Sequence, residues 1–150
     1  MLRGANGSQR KQAARAWNLV VFSIGGRRFA VKAEELAGIS KWTGSLPAAS
    51  AMPFVSSVIR VEQTEFPVFD LAELLHVSVR GDSLLCLMAK HPWGTMAICV
   101  DEEMPVLHAL DPAAVQPYRG GDVPTIGSFS NGVDQIPILS VSKLGMAQDG

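Results

Sequence analysis

The side chains able to support catalysis or hold a metal are few and widely separated in this 150-residue sequence. No two of the histidines, His76, His91 and His108, have the spacing of metal ligands, and no Cys-x-x-Cys pair occurs. The cysteines, Cys86 and Cys99, stand in apolar segments, where burial raises the pKa of a thiol and lowers its reactivity. We therefore predict no metal site and no cysteine nucleophile.

Other motifs of catalysis and cofactor binding are also absent from the sequence. Asp101, Glu102 and Glu103 form a run of three acids, but the run lacks the alternating acids and turn glycine of a calcium loop. We interpret it as the solvated end of a strand. There is no nucleophile elbow, P-loop or dinucleotide-binding fingerprint. We expect no enzyme activity and no cofactor; a deep pocket with converging polar side chains would be needed to support a small enzyme or ligand binder.

Charge divides the sequence into a short basic segment and an acidic remainder. Residues 1–17 hold four of the 13 lysines and arginines and none of the 14 acids. An acidic surface repels phosphate groups, which argues against a nucleic-acid partner. We expect a flexible basic arm at 1–17, a folded region at 18–145 and a C-terminal tail at 146–150. Because there is no secretory signal and no apolar run near the ~20 residues of a membrane helix, we expect a cytoplasmic protein without membrane insertion.

Strand-forming segments dominate the folded region. Residues 19–22 and 29–31 flank Gly25 and Gly26, which predicts a hairpin. Three further hairpins are predicted from segments 55–61 with 66–69, 84–89 with 95–100, and 126–129 with 136–141. Asp70 and Asp111 are placed to cap short helical turns. So many short strands predict an all-β barrel or sandwich.

The sequence also repeats itself weakly. Segment 26–36 matches 94–104, and Ile39 then corresponds to Leu107. Segment 67–74 matches 137–144 in the same order and at nearly the same spacing. The matches have two interpretations, duplication of one β unit and coincidence between short apolar strings. Units of roughly 70 residues have small cores, so two such barrels should pack together and leave a groove that suits a partner helix.

Five parts of the sequence resemble, in this order, the chemotaxis coupling-protein (CheW-like) family over residues 18–145. They are 19–31 (LVVFSIGGRRFAV), 54–61 (FVSSVIRV), 66–71 (FPVFDL), 96–101 (MAICVD), and 126–132 with 136–144 (IGSFSNG and IPILSVSKL). The resemblance implies two small SH3-like β-barrel subdomains packed together, with a groove between them and few short helices. It leads us to expect barrel units at roughly 18–80 and 81–145, with terminal strands open to exchange between them.

The resemblance also implies a non-catalytic adaptor that couples chemoreceptor-type sensors to a CheA-type histidine kinase in chemotaxis or a related chemosensory pathway. The implied partners are the regulatory domain of that kinase and the cytoplasmic tip of a methyl-accepting receptor. The residues placed on the partner-facing region of the first barrel are Leu36, Gly38, Ile39 and Trp42. The residues placed on the groove and its rim are Val58, Ile59, Arg60, Val61 and Glu62. Without the resemblance, Leu36, Ile39, Val58 and Ile59 would be candidates for the core.

The central hairpin departs from the family pattern Gly-Val-Ile-Asn-Leu-Arg-Gly, since residues 57–63 are SVIRVEQ. Gln63 replaces a glycine that would take an unusual turn conformation, and Glu62 replaces an arginine. Gly38 stands where the facing segment often has an acid. Because these changes alter the charges that select partners, a second hypothesis is a regulatory or decoy module, for example in pilus or surface-motility signalling, that occupies coupling sites without transmitting the signal.

Overall fold

The computed structural model describes residues 16–118, 121 and 123–146. Most of the predicted basic arm at 1–17, and the predicted tail beyond residue 146, lie outside the described residues. The α-helix of the described part is α1 (Leu71–Leu75), which Asp70 caps as predicted by accepting a hydrogen bond from the N–H of Glu73. No helix in these ranges is long and apolar enough to cross a membrane.

The described residues form two sheets, which confirms the predicted all-β fold. In chain order the strands are β1 (Trp17–Ile24), β2 (Arg27–Lys32), β3 (Leu36–Lys41), β4 (Leu46–Pro47), β5 (Val55–Val61), β6 (Thr64–Phe69), β7 (Leu85–His91), β8 (Gly94–Val100), β9 (Val106–Leu110), β10 (Thr125–Asn131) and β11 (Asp134–Leu139). Sheet I has the order β10-β11-β2-β1-β9, and sheet II has the order β3-β7-β8-β6-β5-β4. The four predicted hairpins are confirmed as the antiparallel pairs β1/β2, β5/β6, β7/β8 and β10/β11.

The two sheets repeat one arrangement of strands, which favours duplication as the origin of the sequence repeat. In each sheet, two hairpins meet through a parallel strand pair, β11 with β2 in sheet I and β6 with β8 in sheet II. Hairpin β5–β6 corresponds to β10–β11, as the match of segment 67–74 with 137–144 predicts. Hairpin β1–β2 corresponds to β7–β8, in which Arg27 and Gly94 each begin the second strand. The sequence match instead pairs Gly26 with Gly94, so it is displaced by a single position from the structural correspondence.

The two repeats exchange their first hairpins. Sheet I combines β1 and β2 with β9, β10 and β11, which come from the far end of the chain. Sheet II combines β7 and β8 with strands β3 to β6. Residues 80 and 81, at the predicted boundary between units, therefore lie within the span of sheet II. The division of the chain into two separately folding units, 18–80 and 81–145, stays a prediction.

Apolar side chains fill three clusters, one between the sheets and one inside each curled sheet. β1 contributes to two of them, because alternate residues of a strand point to opposite faces. Phe22 and Ile24 belong to the cluster between the sheets, and Leu19 and Val21 to the cluster inside sheet I. The corresponding residues of β7 are Leu87 and Ala89 between the sheets, and Cys86 and Met88 inside sheet II. β1 and β7 each pair with a strand on both sides, and we call them the central strands of their sheets. Both are buried on both faces, which explains why residues 19–22 are continuously apolar.

The Asp101 carboxylate ties the two sheets together. Its Oδ1 accepts hydrogen bonds from the N–H groups of Gly25 (2.9 Å) and Arg80 (2.8 Å), and its Oδ2 accepts one from Gly26 (2.9 Å). The two glycines form the β1–β2 turn of sheet I, whereas Asp101 directly follows β8 of sheet II. Asp101 is only 4% exposed. The expectation of a solvated strand end is therefore wrong for Asp101, since its carboxylate is buried as the acceptor for turn amides, while the two acids after it are exposed.

Asp101→Asn should lower the free energy of unfolding by about 2 kcal/mol, because the amide nitrogen would face a backbone N–H that now donates to an oxygen. Urea denaturation with an unchanged m-value measures this loss. Asp134→Asn, at the exposed first residue of β11, is the matched control and should change stability by less than about 0.5 kcal/mol. A loss at Asp101 no larger than that of the control would contradict the role given to its carboxylate.

The β5–β6 turn holds two residues other than glycine in the left-handed region. Val61 pairs with Thr64, so Glu62 (φ 54°) and Gln63 (φ 86°) are the central residues of a two-residue loop. Positive φ at both positions is typical of a type I′ turn, in which glycine is preferred at the second position. The turn conformation expected of a glycine is therefore present, but a glutamine adopts it at a steric cost.

Gln63→Gly should raise the free energy of unfolding by about 0.5–1 kcal/mol, because it relieves this cost by more than the added entropy of the unfolded chain. Thermal and urea unfolding measure the gain. Gln63→Ala is the control, since it shortens the side chain but keeps the Cβ, and it should give no comparable gain. If both variants are equally stabilised, the left-handed conformation is not the cause.

Candidate protein-docking surface

Strand β3 is an edge strand that carries three of the predicted docking residues. In the described part of the chain it pairs only with β7. Ile39 is 44% exposed although its side chain is large and apolar, and Leu36 is half-buried. Gly38 is exposed, and a Cβ at this position would meet no heavy atom within 4 Å. Packing within the chain does not require Ile39 or Gly38, so both are available for contact with another molecule.

Trp42 lies where the chain leaves β3 and crosses to β4. Its N–H donates to the carbonyl oxygen of Leu84 at 2.9 Å, and its half-buried side chain packs against the cluster inside sheet II. Strand β4 then pairs with β5, with Leu46 opposite Val58. Residues 42–45 therefore connect one edge of sheet II with the other, and they link the predicted docking residues of β3 to those of β5.

The predicted docking residues of β5 point in two directions. Ile59 is 2% exposed and packs in the cluster inside sheet II, and Val61 is half-buried against the same cluster. Val58 and Arg60 alternate with them on the opposite face, where Val58 is half-buried and Arg60 is exposed. The structure therefore places Ile59 in the core, as expected when the resemblance is set aside.

Charged side chains surround the β5–β6 turn. Arg60 forms an ion pair with Glu65 across the hairpin at 3.8 Å, and both are exposed. Such a pair contributes less than about 1 kcal/mol to stability. Glu62 is exposed in the turn itself. All nine predicted residues thus belong to sheet II or to the chain directly after its strands, and their assignment to a partner surface stays a prediction.

Edge strand β9 of sheet I also carries exposed apolar side chains, which the sequence analysis does not assign to docking. Leu107 points to one side of the strand, which we call the second face, and Val106 points to the other side. Val106 is 58% exposed and Leu107 is 78% exposed on edge strand β9, and Met104 just before it is 67% exposed. Leu107 lies opposite the central strand β1 as Ile39 lies opposite the central strand β7. The match of Ile39 with Leu107 in the sequence repeat is the signal that identifies this second face.

The cysteines and histidines form no metal site in the part of the chain that the structure describes. Cys86 and Cys99 lie opposite each other on β7 and β8, and burial raises the pKa values of their thiols to about 11 and about 12. Both thiols are therefore protonated at neutral pH.

The buried His91 ring links two backbone segments, since its Nε2 lies 2.9 Å from the carbonyl oxygen of Leu144 and its Nδ1 accepts a 3.1 Å hydrogen bond from the N–H of Trp93.

Glu35, which directly precedes β3, is held in an unfavourable environment. Its Oε2 is buried and has no hydrogen-bond partner among the described residues. Burial raises the pKa of its carboxyl above the ordinary value; the charge of Lys32 opposes this effect and that of Glu34 adds to it. A hydrogen bond from the backbone of Val141 also lowers the pKa. The ionised form of Glu35 is thus less stable in the folded protein than in the unfolded chain.

Glu35→Gln should raise the free energy of unfolding at neutral pH by up to about 1 kcal/mol, because it removes a charge that is partly shielded from water. The gain should shrink as the pH falls through the raised pKa, where the folded protein takes up its proton. It should level off below about pH 4.3, where the unfolded chain is protonated too. Urea unfolding at several pH values measures this, with Glu73→Gln, at an exposed position of α1, as the control. A gain that does not depend on pH would contradict the explanation.

Comparisons with known proteins agree with this architecture. No curated protein is significantly similar to the chain in sequence. The scaffolding protein TtCheW from Thermoanaerobacter tengcongensis has a similar solved structure, with a TM-score of 0.71 and 16% sequence identity over 85% of this chain and 91% of that chain. This likeness shows a shared fold of two β subdomains. The model of the CheW-like domain matches residues 18–147, and the chain therefore belongs to the CheW-like domain family.

Proposed function

We propose that the protein is a non-catalytic scaffold that couples chemoreceptor-type sensors to a CheA-type histidine kinase. Membership in the CheW-like domain family supports a coupling or scaffolding role. A scaffold works by holding two partners at the same time. It therefore needs two separate docking surfaces and no reacting groups.

The pair of equivalent apolar faces on the two sheets is the observation that carries this proposal. Ile39 is 44% exposed on edge strand β3, and Leu107 is 78% exposed on edge strand β9. Large apolar side chains on a surface are typical of protein interfaces, and an edge strand adds unpaired backbone groups that a partner can use. Because the two faces belong to different sheets, each can hold a different partner.

The partners we propose are the regulatory domain of the kinase and the cytoplasmic tip of a methyl-accepting receptor. A receptor tip consists of helices, and the apolar side of a helix is suited to an exposed apolar face. A regulatory domain that shares this fold has edge strands of its own, which suits contact between sheets. Both partners act in the cytoplasm, so we place the protein there.

Ile39→Asp and Leu107→Asp should each weaken the binding of at least one of these partners about tenfold or more, because each replaces an exposed apolar side chain of an edge strand with a charge. Calorimetry with the purified regulatory domain and a receptor-tip fragment of the same organism measures the two affinities. The control is Val133→Asp, since Val133 is fully exposed (102%) in the β10–β11 turn and lies on neither face. It should leave both affinities within about twofold of the unsubstituted protein.

Two results would count against the proposal. Failure of the unsubstituted protein to bind either partner would contradict the coupling function itself. Binding of both partners that neither substitution weakens would place the docking surfaces elsewhere on the molecule.

Glu62 and Gly38 favour a second candidate function, a module that occupies coupling sites without transmitting the signal. Both residues are exposed, and each replaces a residue whose charge is usual in the family. A reconstituted mixture of receptor, kinase and this protein separates the two functions. A coupler raises the receptor-stimulated kinase activity, whereas a decoy lowers it when an ordinary coupling protein is also present.

A further inference from the structure

Cys86 and Cys99, the two cysteines of the sequence, lie directly opposite each other on neighbouring strands of sheet II. Cys86 of β7 is fully buried in the cluster inside sheet II, whereas Cys99 of β8 is half-buried. Residues that lie directly opposite in an antiparallel pair project from the same face of the sheet. After burial, the largest cause that raises the pKa of Cys99 is the charge of Cys86, as expected of adjacent thiols.

The backbone hydrogen bonds of β7 show which kind of cross-strand pair the cysteines form. Pairs that exchange hydrogen bonds alternate along an antiparallel ladder with pairs that do not. The N–H of Trp42 donates to the carbonyl oxygen of Leu84, so the pair two positions along the β3–β7 ladder, Ser40 with Cys86, is also hydrogen-bonded. The N–H and C=O groups of Cys86 therefore point toward β3 and away from β8. Cys86 and Cys99 are thus a non-hydrogen-bonded pair.

The β7–β8 turn leads to the same assignment and to a distance. His91 and Gly94 flank a two-residue loop and form the hydrogen-bonded pair that closes the hairpin. The cysteine pair lies five positions further along an unbroken register, which is an odd number and so a non-hydrogen-bonded site. At such sites the Cα atoms lie about 4.5 Å apart, within the ~4.4–6.8 Å that a disulfide bridges, and the Cβ atoms are near its upper limit of ~4.5 Å. A disulfide therefore needs only a small approach of β7 and β8 and no change of register.

A half-open groove beside helix α1 gives small molecules access to Cys99. Cys99 lines this groove together with residues that include Trp42, Val79 and Leu84. Cys86 is not part of the lining and is 0% exposed. A reagent that enters the groove therefore reaches Cys99 and not Cys86, which gives the two thiols different roles.

We propose that Cys99 and Cys86 are a redox pair that a low-molecular-weight disulfide, such as oxidised glutathione, converts into a cross-strand disulfide. The Cys99 thiol loses its proton to water, and its sulfur attacks one sulfur of the small disulfide, whose other sulfur leaves as a thiolate and takes up a proton. Cys86 then attacks the Cys99 sulfur of the mixed disulfide, and the second small thiol leaves in the same way. The protein pair loses two electrons and two protons, and one small disulfide becomes two thiols.

The exchange is slow at neutral pH, because the thiolate and not the thiol is the attacking species. Burial raises the pKa of Cys99 to about 12, so its thiolate fraction and the rate of attack rise about tenfold for each pH unit above neutrality. The pair therefore follows lasting changes in the ratio of small thiols to small disulfides and does not follow brief ones.

Equilibration of the full chain in glutathione buffers of graded thiol-to-disulfide ratio tests the proposal. After acid quenching and alkylation of the remaining thiols, trypsin cuts after Lys90, so the two cysteines fall on separate peptides. A linked pair of these peptides, without bound glutathione, is the expected product. The effective concentration of one thiol toward the other should be about tenfold or more above its value in concentrated urea, where only the flexible chain brings the thiols together. Linkage that is no more favourable in the folded than in the unfolded chain, or glutathione adducts in place of the link, would overturn the proposal.

Two matched substitutions separate the roles of the thiols. Cys86→Ala removes the second attacking group, so Cys99 should accumulate as a mixed disulfide with glutathione, at a rate that rises about tenfold per pH unit. Cys99→Ala leaves only the buried Cys86, which should form about tenfold less adduct under the same conditions. Equal adduct formation in the two variants, or none in either, would overturn the proposal. If a variant fails to fold, the comparison of the folded and unfolded unsubstituted chain decides the question.

Discussion

The apolar cluster between the two sheets is the contact on which the rest of the molecule depends. Phe22 and Ile24 of β1 and Leu87 of β7 belong to this cluster. Burial of one such side chain contributes about 2 kcal/mol. Separation of the sheets would expose one face of both central strands to water and lose the burial energy of the whole cluster. Asp101 adds a directional contact, because its carboxylate satisfies the turn amides of one sheet from the end of a strand in the other.

The burial of the central strands also determines where partners can bind. The central strands β1 and β7 are covered on both faces and paired on both sides, so they offer nothing to another molecule. Within the described residues the edge strands β3 and β9 pair on one side only, and both carry exposed apolar side chains. Because the sheets repeat one arrangement, the two open edges are equivalent in structure but differ in sequence. A duplicated fold thus provides two related faces that can be specialised for different partners.

The hairpins could be predicted from the sequence, because strand residues and turn residues lie close together along the chain. Strands β3, β4 and β9 could not, since edge strands such as β3, with Gly38 and Lys41, lack a clear alternation of apolar and polar residues. The exchange of hairpins has no local signal, because it joins strands that are far apart in the sequence. The same holds for Asp101, whose buried role depends on the distant turn at Gly25 and Gly26.

The candidate docking surface was only partly accessible to sequence analysis. The exposed position of Ile39 agrees with the role implied by the family resemblance, whereas the burial of Ile59 follows from strand alternation. The sequence repeat matches Ile39 with Leu107, but residue types alone do not reveal that both of these positions are exposed. The half-open groove beside α1, lined by Trp42, Val79 and Leu84, could not be predicted, because its walls come from separate parts of the chain.

The exchanged hairpins also affect how the protein emerges from a ribosome. All strands of sheet II lie between Leu36 and Val100, so this sheet can assemble while the chain is still being made. Hairpin β1–β2 is synthesised first, yet its neighbours in sheet I include β11, which ends at Leu139. At about 5–20 residues per second, the hairpin waits roughly 5–20 s for that strand. During this interval the apolar hairpin β1–β2 stays uncovered on at least one face, so a nascent chain can aggregate through it.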